Sequence, residues 1–226
     1  MSLADNLERV QESVAAAAQK AGRPATDVTL MAVSKTWPIP TVQEVVDAGQ
    51  IDFGENRIQE AETKVPAMAS NLRWHLIGHL QSNKVRKALP LFDQIHSLDS
   101  LDLAKRVNHI ATDLGIFPKV YLQVNIADDS AKYGFSEAAL EAALEEILGL
   151  DRLEILGLMT IPAFNPDPEA TRPAFAALRE FRDRLQSESA VGLPALSMGM
   201  SHDYPVAIEE GATIVRVGSA IFGKRR

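Results

Sequence analysis

A lysine stands directly behind a continuous apolar segment near the start of the chain. The segment covers residues 28–33 (Val-Thr-Leu-Met-Ala-Val), and Lys35 follows it after one serine. The stem of this lysine therefore starts inside the protein, and partial burial favours the neutral amine that attacks carbonyl groups. For a single lysine at a strand end, the commoner alternative is an ammonium group that reaches water while its methylene stem is buried.

Two segments near the C-terminus combine glycine with serine. One is the stretch 197–201 (Ser-Met-Gly-Met-Ser), and the other begins with Gly218 and Ser219 directly after the last apolar segment. Glycine lets backbone N–H groups approach an anion closely, and serine hydroxyls add further donors. Turns also favour both residue types, so each segment alone is a weak signal. Together they indicate a site for a phosphate group.

Arg216 interrupts the last apolar segment, which runs from Thr213 to Val217. Val215 and Val217 share one face of the predicted strand and Arg216 takes the other, so we expect the arginine to point inward. A buried guanidinium stays charged and needs an acceptor. A carboxylate and a ring nitrogen of a bound heteroaromatic molecule are equally compatible partners. An arginine that donates to a pyridine nitrogen keeps this nitrogen unprotonated, which weakens the ring as an electron sink.

The elements that must position these residues alternate regularly along the chain. About eight short apolar segments are each followed by a helical stretch or turn, which predicts a single (β/α)8 TIM-type barrel domain over residues 1–226. An open, doubly wound sheet is the alternative. Little sequence follows the last strand, so we expect the amphipathic helix in residues 2–22 to fill the gap in the outer ring. In such barrels the carboxyl ends of the strands carry the active site, with phosphate sites after strands seven and eight.

Composition excludes several classes of function. A net charge of −7 argues against broad nucleic-acid binding, and the absence of cysteine excludes disulfides and thiolate metal sites. His75 and His79 are four residues apart but fall on a strand, so no metal site is predicted. The N-terminal residues lack the apolar core of a signal peptide, and no apolar run approaches the ~20 residues that span a membrane. We therefore expect a cytoplasmic protein.

Six motifs, in this order, resemble those of the pyridoxal phosphate homeostasis proteins over nearly the whole chain. They are Ala-Val-Ser-Lys-Thr (32–36), Phe-Gly-Glu-Asn (53–56), Trp-His-Leu-Ile-Gly-His-Leu-Gln-Ser-Asn-Lys (74–84), Gly-Leu-Met-Thr-Ile-Pro (157–162), Leu-Ser-Met-Gly-Met-Ser (196–201) and Val-Arg-Val-Gly-Ser-Ala-Ile-Phe-Gly (215–223). The resemblance implies a barrel like the N-terminal domain of alanine racemase, the type III fold of proteins that use pyridoxal 5′-phosphate (PLP).

The resemblance also assigns roles to individual residues. It makes Lys35 the Schiff-base lysine for PLP and turns Arg216 toward the pyridine nitrogen. The remaining assignments are Ser201, Gly218 and Ser219 around the phosphate, Ser197 and Gly199 close by, and Asn56, His79 and Met159 along the ring.

The implied function is that of a carrier without an established catalytic residue. Such a protein binds PLP reversibly, limits the free aldehyde and passes the cofactor to apo PLP-dependent enzymes. A small amino-acid racemase is the alternative, but two-base racemisation needs a second proton-transfer group. Tyr121, Tyr133 and Tyr204 are not clearly placed for that task.

A class I aldolase is the third hypothesis, in which Lys35 forms an imine with a sugar phosphate. Without the resemblance, PLP and a sugar phosphate remain equally open. The short tail after the last strand offers no dimer arm, so we expect a monomer.

Overall fold

Eight parallel strands close into a barrel in this computed structural model, which describes residues 2–127, 132–189 and 191–223. Each strand pairs with the next along the chain, and the last pairs with the first through partners such as Met31 and Arg216. The predicted barrel is confirmed, and this closing pair excludes the open sheet. The strands are β1 (Thr29–Val33), β2 (Asp52–Glu55), β3 (Arg73–Leu76), β4 (Gln94–Leu98), β5 (Lys119–Gln123), β6 (Glu154–Met159), β7 (Ala195–Met200) and β8 (Ile214–Val217).

Helices cover the outside of the barrel and alternate with the strands. They are α1 (Leu3–Lys20), α2 (Ile39–Asp47), α3 (Ile58–Lys64), α4 (Val85–Ala88), α5 (Leu101–Leu114), α6 (Glu137–Leu148), α7 (Arg172–Ser189), α8 (Tyr204–Glu209) and α9 (Ser219–Phe222). Short 3-10 turns occupy Ala25–Asp27, Val65–Ala67, Ser82–Lys84 and Pro168–Thr171. Within the described residues no helix combines the length and the apolar character needed to cross a membrane.

The opening helix α1 lies in the outer ring between α2 and the short helices α8 and α9. It starts at a capping box, in which the Ser2 hydroxyl accepts from the Asp5 amide and the Asp5 carboxylate accepts from the Ser2 amide. The helix packs against α8, α9 and α2. The Asn6 side chain also donates to the carbonyl of Ile221 at 2.9 Å, which ties α1 to α9. The predicted role of this helix is confirmed.

The barrel interior differs from the apolar layer between strands and helices. A small separate cluster of buried apolar side chains contains Met31, Tyr121, Met159 and Ile214. One member, Met31, lies beside Arg216, because the two are register partners on β1 and β8. Buried polar side chains fill the rest of this space: Asp52, His75, His96, Ser197 and Arg216. Polar groups inside a barrel need hydrogen-bond partners, so their contacts constrain the site above them.

Close strand packing at Gly157 provides a test of the barrel. A Cβ atom at this position would lie 1.8 Å from the carbonyl oxygen of Ala195 on the neighbouring β7. We expect Gly157→Ala to lower the free energy of unfolding by about 3 kcal/mol or more, because backbone must move. Gly192→Ala is the matched control, since its Cβ would meet nothing within 4 Å, and we expect a change below about 0.5 kcal/mol. Urea unfolding measures both, and equal stabilities of the two variants would contradict this packing.

Candidate functional site

A cavity of about 400 Å³ opens at the carboxyl ends of the strands. Its volume lies in the range of small-molecule sites, roughly 300–1,000 Å³. Six of the ten predicted binding residues line it: Lys35, Asn56, Ser201, Arg216, Gly218 and Ser219. Apolar walls come from Val33, Trp37, Ile77, Ile161, Phe164 and Met200, with His202 and Gly223 completing the lining. These six residues come from four separate parts of the chain, which the barrel brings together at one cavity.

Lys35 lies half-buried in a tight turn that follows β1. The next residue, Thr36, has a φ of 69°, a left-handed conformation that is uncommon for a β-branched side chain. Two hydrogen bonds hold the turn: the Thr36 amide donates to Glu60 Oε2 at 2.6 Å, and the Trp37 amide donates to the Ser34 carbonyl at 3.1 Å. The surrounding structure thus fixes the backbone on the C-terminal side of Lys35.

A buried ion pair fixes the backbone on the other side of Lys35. Lys64 Nζ donates to the Ser34 carbonyl at 2.9 Å and to Glu55 Oε1 at 2.7 Å, and the Ser34 hydroxyl donates to the same carboxylate oxygen at 2.7 Å. Burial raises the pKa of Glu55, and the hydrogen bonds from Lys64 and Ser34 oppose that rise. Helix α3 and strand β2 therefore anchor the peptide that carries Lys35.

Arg216 points into the barrel as predicted, and it is 3% exposed. Its Nη1 donates to the carbonyl of Ser197 at 2.7 Å and to the Ser197 hydroxyl at 2.8 Å, while its Nη2 donates to the carbonyl of Thr160 at 2.8 Å. These contacts are with carbonyl and hydroxyl oxygens instead of a carboxylate. Burial lowers the pKa of Arg216 to about 10, which leaves the guanidinium charged at neutral pH.

Ser201 joins the loops after β7 and β8. Its hydroxyl oxygen accepts from the backbone amide of Gly218 at 2.9 Å and from that of Ala220 at 3.4 Å. Neither contact uses the hydroxyl hydrogen of Ser201, and Gly218 and Ser219 line the cavity beside it. This corner of the cavity offers donors suited to a phosphate ester.

The structure places the other four predicted residues outside the cavity wall, because each is held elsewhere. Ser197 lies beneath Arg216, and Met159 belongs to the inner apolar cluster. Gly199 has a φ of 90° and packs against α8, where a Cβ would lie 2.5 Å from that of Ala207. His79 is exposed, contacts Asp99 at 3.0 Å and stacks on Tyr133. Their predicted parts in cofactor binding stay predictions.

The charges of the lining suit an anionic ligand. Lys35 and Arg216 contribute amine and guanidinium groups, and no carboxylate is found among the described lining residues. The amine can condense with a carbonyl compound, and the guanidinium can donate to a ring nitrogen or an oxyanion.

Sequence reasoning did not identify the supports of this site, namely Glu55, Glu60, Lys64, His75 and His96. A usable signal was present, because Glu55 ends β2 and His96 lies in the middle of β4, and all residues of these two short strands except Gln94 are buried. A buried ionisable side chain requires a partner, and this requirement predicts a polar network inside the barrel.

Comparisons with known proteins agree with this geometry. The family model for the alanine racemase N-terminal domain matches residues 6–226. The pyridoxal phosphate homeostasis protein of Aquifex aeolicus is 43% identical over 227 residues and covers 100% of both chains. The protein of the same name from Pseudomonas aeruginosa is 43% identical over 226 residues, covering 99% of this chain and 96% of the relative.

Two solved structures extend the comparison. PipY of Synechococcus elongatus with PLP bound is 41% identical, with a TM-score of 0.87 over 98% of this chain and 100% of that chain. Alanine racemase of Clostridium difficile is 16% identical, with a TM-score of 0.76 over 98% of this chain and 57% of the racemase, a likeness of fold alone. The chain therefore belongs to the alanine racemase N-terminal domain family and, within it, to the pyridoxal phosphate homeostasis proteins.

Proposed function

We propose that this protein binds PLP reversibly, with Lys35 as the Schiff-base residue, and that it serves the homeostasis and delivery of this cofactor. One observation carries the proposal. A single cavity joins the amine of Lys35, the buried guanidinium of Arg216, and the corner of Ser201, Gly218 and Ser219, where the contacts to the backbone amides leave the Ser201 hydroxyl hydrogen unused. These groups match the aldehyde, the pyridine nitrogen and the phosphate of PLP, respectively.

The lining fits PLP in shape and in polarity as well. The ring of PLP is flat and largely apolar, and side chains such as Val33, Ile77 and Ile161 supply apolar contact surface. The amide of Asn56 also lines the cavity and can form hydrogen bonds with polar ring substituents. When bound, PLP supplies an aldehyde that condenses with amines, so an amine at the site can hold it covalently and release it again.

The position of Arg216 suits a protein that binds PLP better than one that uses PLP for catalysis. A guanidinium donates and cannot act as an acceptor, so a pyridine nitrogen facing Arg216 stays unprotonated. An unprotonated ring withdraws electrons weakly, which slows the carbanion chemistry that PLP enzymes depend on. The side chain that holds the ring therefore makes it a weaker electron sink for breaking bonds at the α-carbon of an amino acid.

The positions of the tyrosines weigh against the racemase alternative. Tyr121 is buried and stacks on His96, Tyr204 is buried in α8, and Tyr133 stacks on His79. None of the three is among the described residues that line the cavity, whereas His202 is. Racemisation by two bases would therefore have to pair Lys35 with a group such as His202.

The relatives support the carrier role. Those reported above are named pyridoxal phosphate homeostasis proteins, and PipY has been solved with PLP bound. The proposal further includes a single PLP-binding domain, a cytoplasmic and monomeric protein, and transfer of PLP to apo-enzymes that depend on it.

Titration with PLP tests the assignment of Lys35. We expect wild-type protein to develop the visible absorption band of an imine, and Lys35→Ala to lose it at that site because Lys35 is the one lysine among the described residues that line the cavity. Lys119→Ala is the matched control, since Lys119 is an exposed lysine at the first position of β5, the opposite end of the barrel.

Borohydride reduction followed by peptide mass spectrometry then locates the modified lysine. A pyridoxyl group on Lys35 is the expected result. A wild-type protein that stays colourless with PLP, or one in which borohydride traps a sugar phosphate on Lys35 instead of PLP, would refute the proposal.

Proton exchange separates the carrier from the racemase. In D₂O with L-alanine and saturating PLP, we expect α-proton exchange no faster than with the same concentration of PLP alone, because Arg216 leaves the ring a weak electron sink. Proton NMR measures the exchange. A faster exchange that disappears in Lys35→Ala would instead support the racemase.

A further inference from the structure

Five buried polar side chains form one continuous row of hydrogen bonds through the barrel interior. Arg216 Nη1 lies 2.8 Å from the hydroxyl of Ser197, and this hydroxyl lies 2.8 Å from His96 Nδ1. His96 Nε2 lies 3.1 Å from His75 Nδ1, and His75 Nε2 lies 3.1 Å from Asp52 Oδ1. We call these five residues the barrel row. Each is at most 5% exposed, so water does not replace these contacts.

The chemistry of the two ends together dictates the direction of every bond in the barrel row. Arg216 can only donate, so the Ser197 hydroxyl accepts from it. At the other end an ionised Asp52 can only accept, and this requirement, passed through two neutral imidazoles, leaves His96 Nδ1 as an acceptor, so the Ser197 hydroxyl directs its own hydrogen to it. A neutral His96 that accepts at Nδ1 carries its proton on Nε2 and donates to His75 Nδ1. His75 likewise carries its proton on Nε2.

The direction also fits the other end of the row. His75 Nε2 faces the carboxylate of Asp52. This carboxylate accepts the hydrogen bond that the protonated Nε2 donates. All four bonds are satisfied at once with two neutral imidazoles.

The surroundings keep His96 neutral and its ring in place. Burial lowers the pKa of His96 well below its usual value, and the charge of Arg216 lowers it further. The ring of Tyr121 stacks on that of His96, with centroids 4.2 Å apart and an interplanar angle of 20°. Within the described part of the chain, no group of three potential ligands is arranged to hold a metal ion, so the histidines are hydrogen-bonding partners.

The far end of the barrel row is an anchored anion. Arg73 donates to both carboxylate oxygens of Asp52, through Nε at 2.8 Å and Nη2 at 2.6 Å. Burial raises the pKa of Asp52, but the hydrogen bonds from His75 and Arg73 outweigh it and leave the pKa below its usual value. Asp52 and Arg73 are the first residues of β2 and β3, so this anion lies at the end of the barrel opposite the cavity.

We propose that Asp52, His75, His96 and Ser197 are positioning residues that set the hydrogen-bonding direction of Arg216 for the ring nitrogen of PLP. The inference rests on the proposed function, since it needs PLP as the acceptor at the cavity. A row with fixed proton positions occupies Nη1 of Arg216 and prevents the guanidinium from turning away. Four residues that are not among the lining residues of the cavity thereby set the orientation of the guanidinium that faces the cofactor.

Histidine NMR tests the proton positions in the protein without any cofactor. With ¹⁵N-labelled histidine, we expect His75 and His96 to be neutral and protonated on Nε2 at pH 7. In Ser197→Ala the donor to His96 Nδ1 is gone, and we expect the tautomer protonated on Nδ1 to appear for His96. Ser97→Ala is the matched control, because Ser97 is an equally buried serine on β4 whose hydroxyl donates to the Gly78 carbonyl outside the row. A wild-type His96 that is charged, or protonated on Nδ1, would overturn the inference.

The second measurement uses the PLP-loaded protein. We expect Ser197→Ala to shift the visible absorption maximum of bound PLP and to weaken PLP binding about tenfold, the effect of orphaning one buried hydrogen-bonding group. Ser97→Ala should leave the absorption maximum unchanged and the affinity within about twofold. Ser197→Thr retains the hydroxyl and should restore the wild-type spectrum, which a purely structural role for Ser197 does not require.

The two measurements distinguish a failure of the proposed function from a failure of the positioning role. A wild-type protein with the expected tautomers but no affinity for PLP refutes the proposed function and leaves the row intact. A protein that binds PLP with the same spectrum in wild type and Ser197→Ala refutes the positioning role. If Ser197→Ala does not fold, the wild-type tautomers and the spectrum of Ser197→Thr decide the question.

Discussion

The interior of this barrel depends on the burial of one cation, the guanidinium of Arg216. A guanidinium cannot shed its proton at neutral pH, so the strands around it must offer acceptors. They do so with the carbonyls of Ser197 and Thr160 and with the hydroxyl of Ser197. Because those acceptors come from β7 and from the residue after β6, the cation also fixes how these strands meet β8.

The two chemically important side chains are held by independent supports. Lys35 sits between the Lys64–Glu55 pair below it and the Glu60 contact that stabilises the left-handed Thr36. Arg216 is held by Ser197 on the neighbouring strand β7 and, through Ser197, by the rest of the barrel row. A ligand that uses both groups therefore enters a site whose parts are placed before it arrives, which reduces the ordering cost of binding.

Much of the fold and part of the site follow from sequence pattern. Strand and helix alternation predicted the closed barrel, and the valines flanking Arg216 predicted its inward direction. The barrel row could not be predicted in the same way. The contact between His75 and His96 depends on how β3 aligns with β4, and the contact between His96 and Ser197 crosses the barrel. Local periodicity contains neither relation, and the same limitation applies to His79, whose exposed position depends on Asp99 and Tyr133.

A crystal structure of the protein grown with PLP is the most direct test of the central claim. The account predicts continuous density from Lys35 Nζ to the ring, the phosphate beside Ser201, Gly218 and Ser219, and the ring nitrogen within hydrogen-bond distance of Arg216. A cofactor attached to a different lysine, or bound with its phosphate turned away from Ser201, would contradict it.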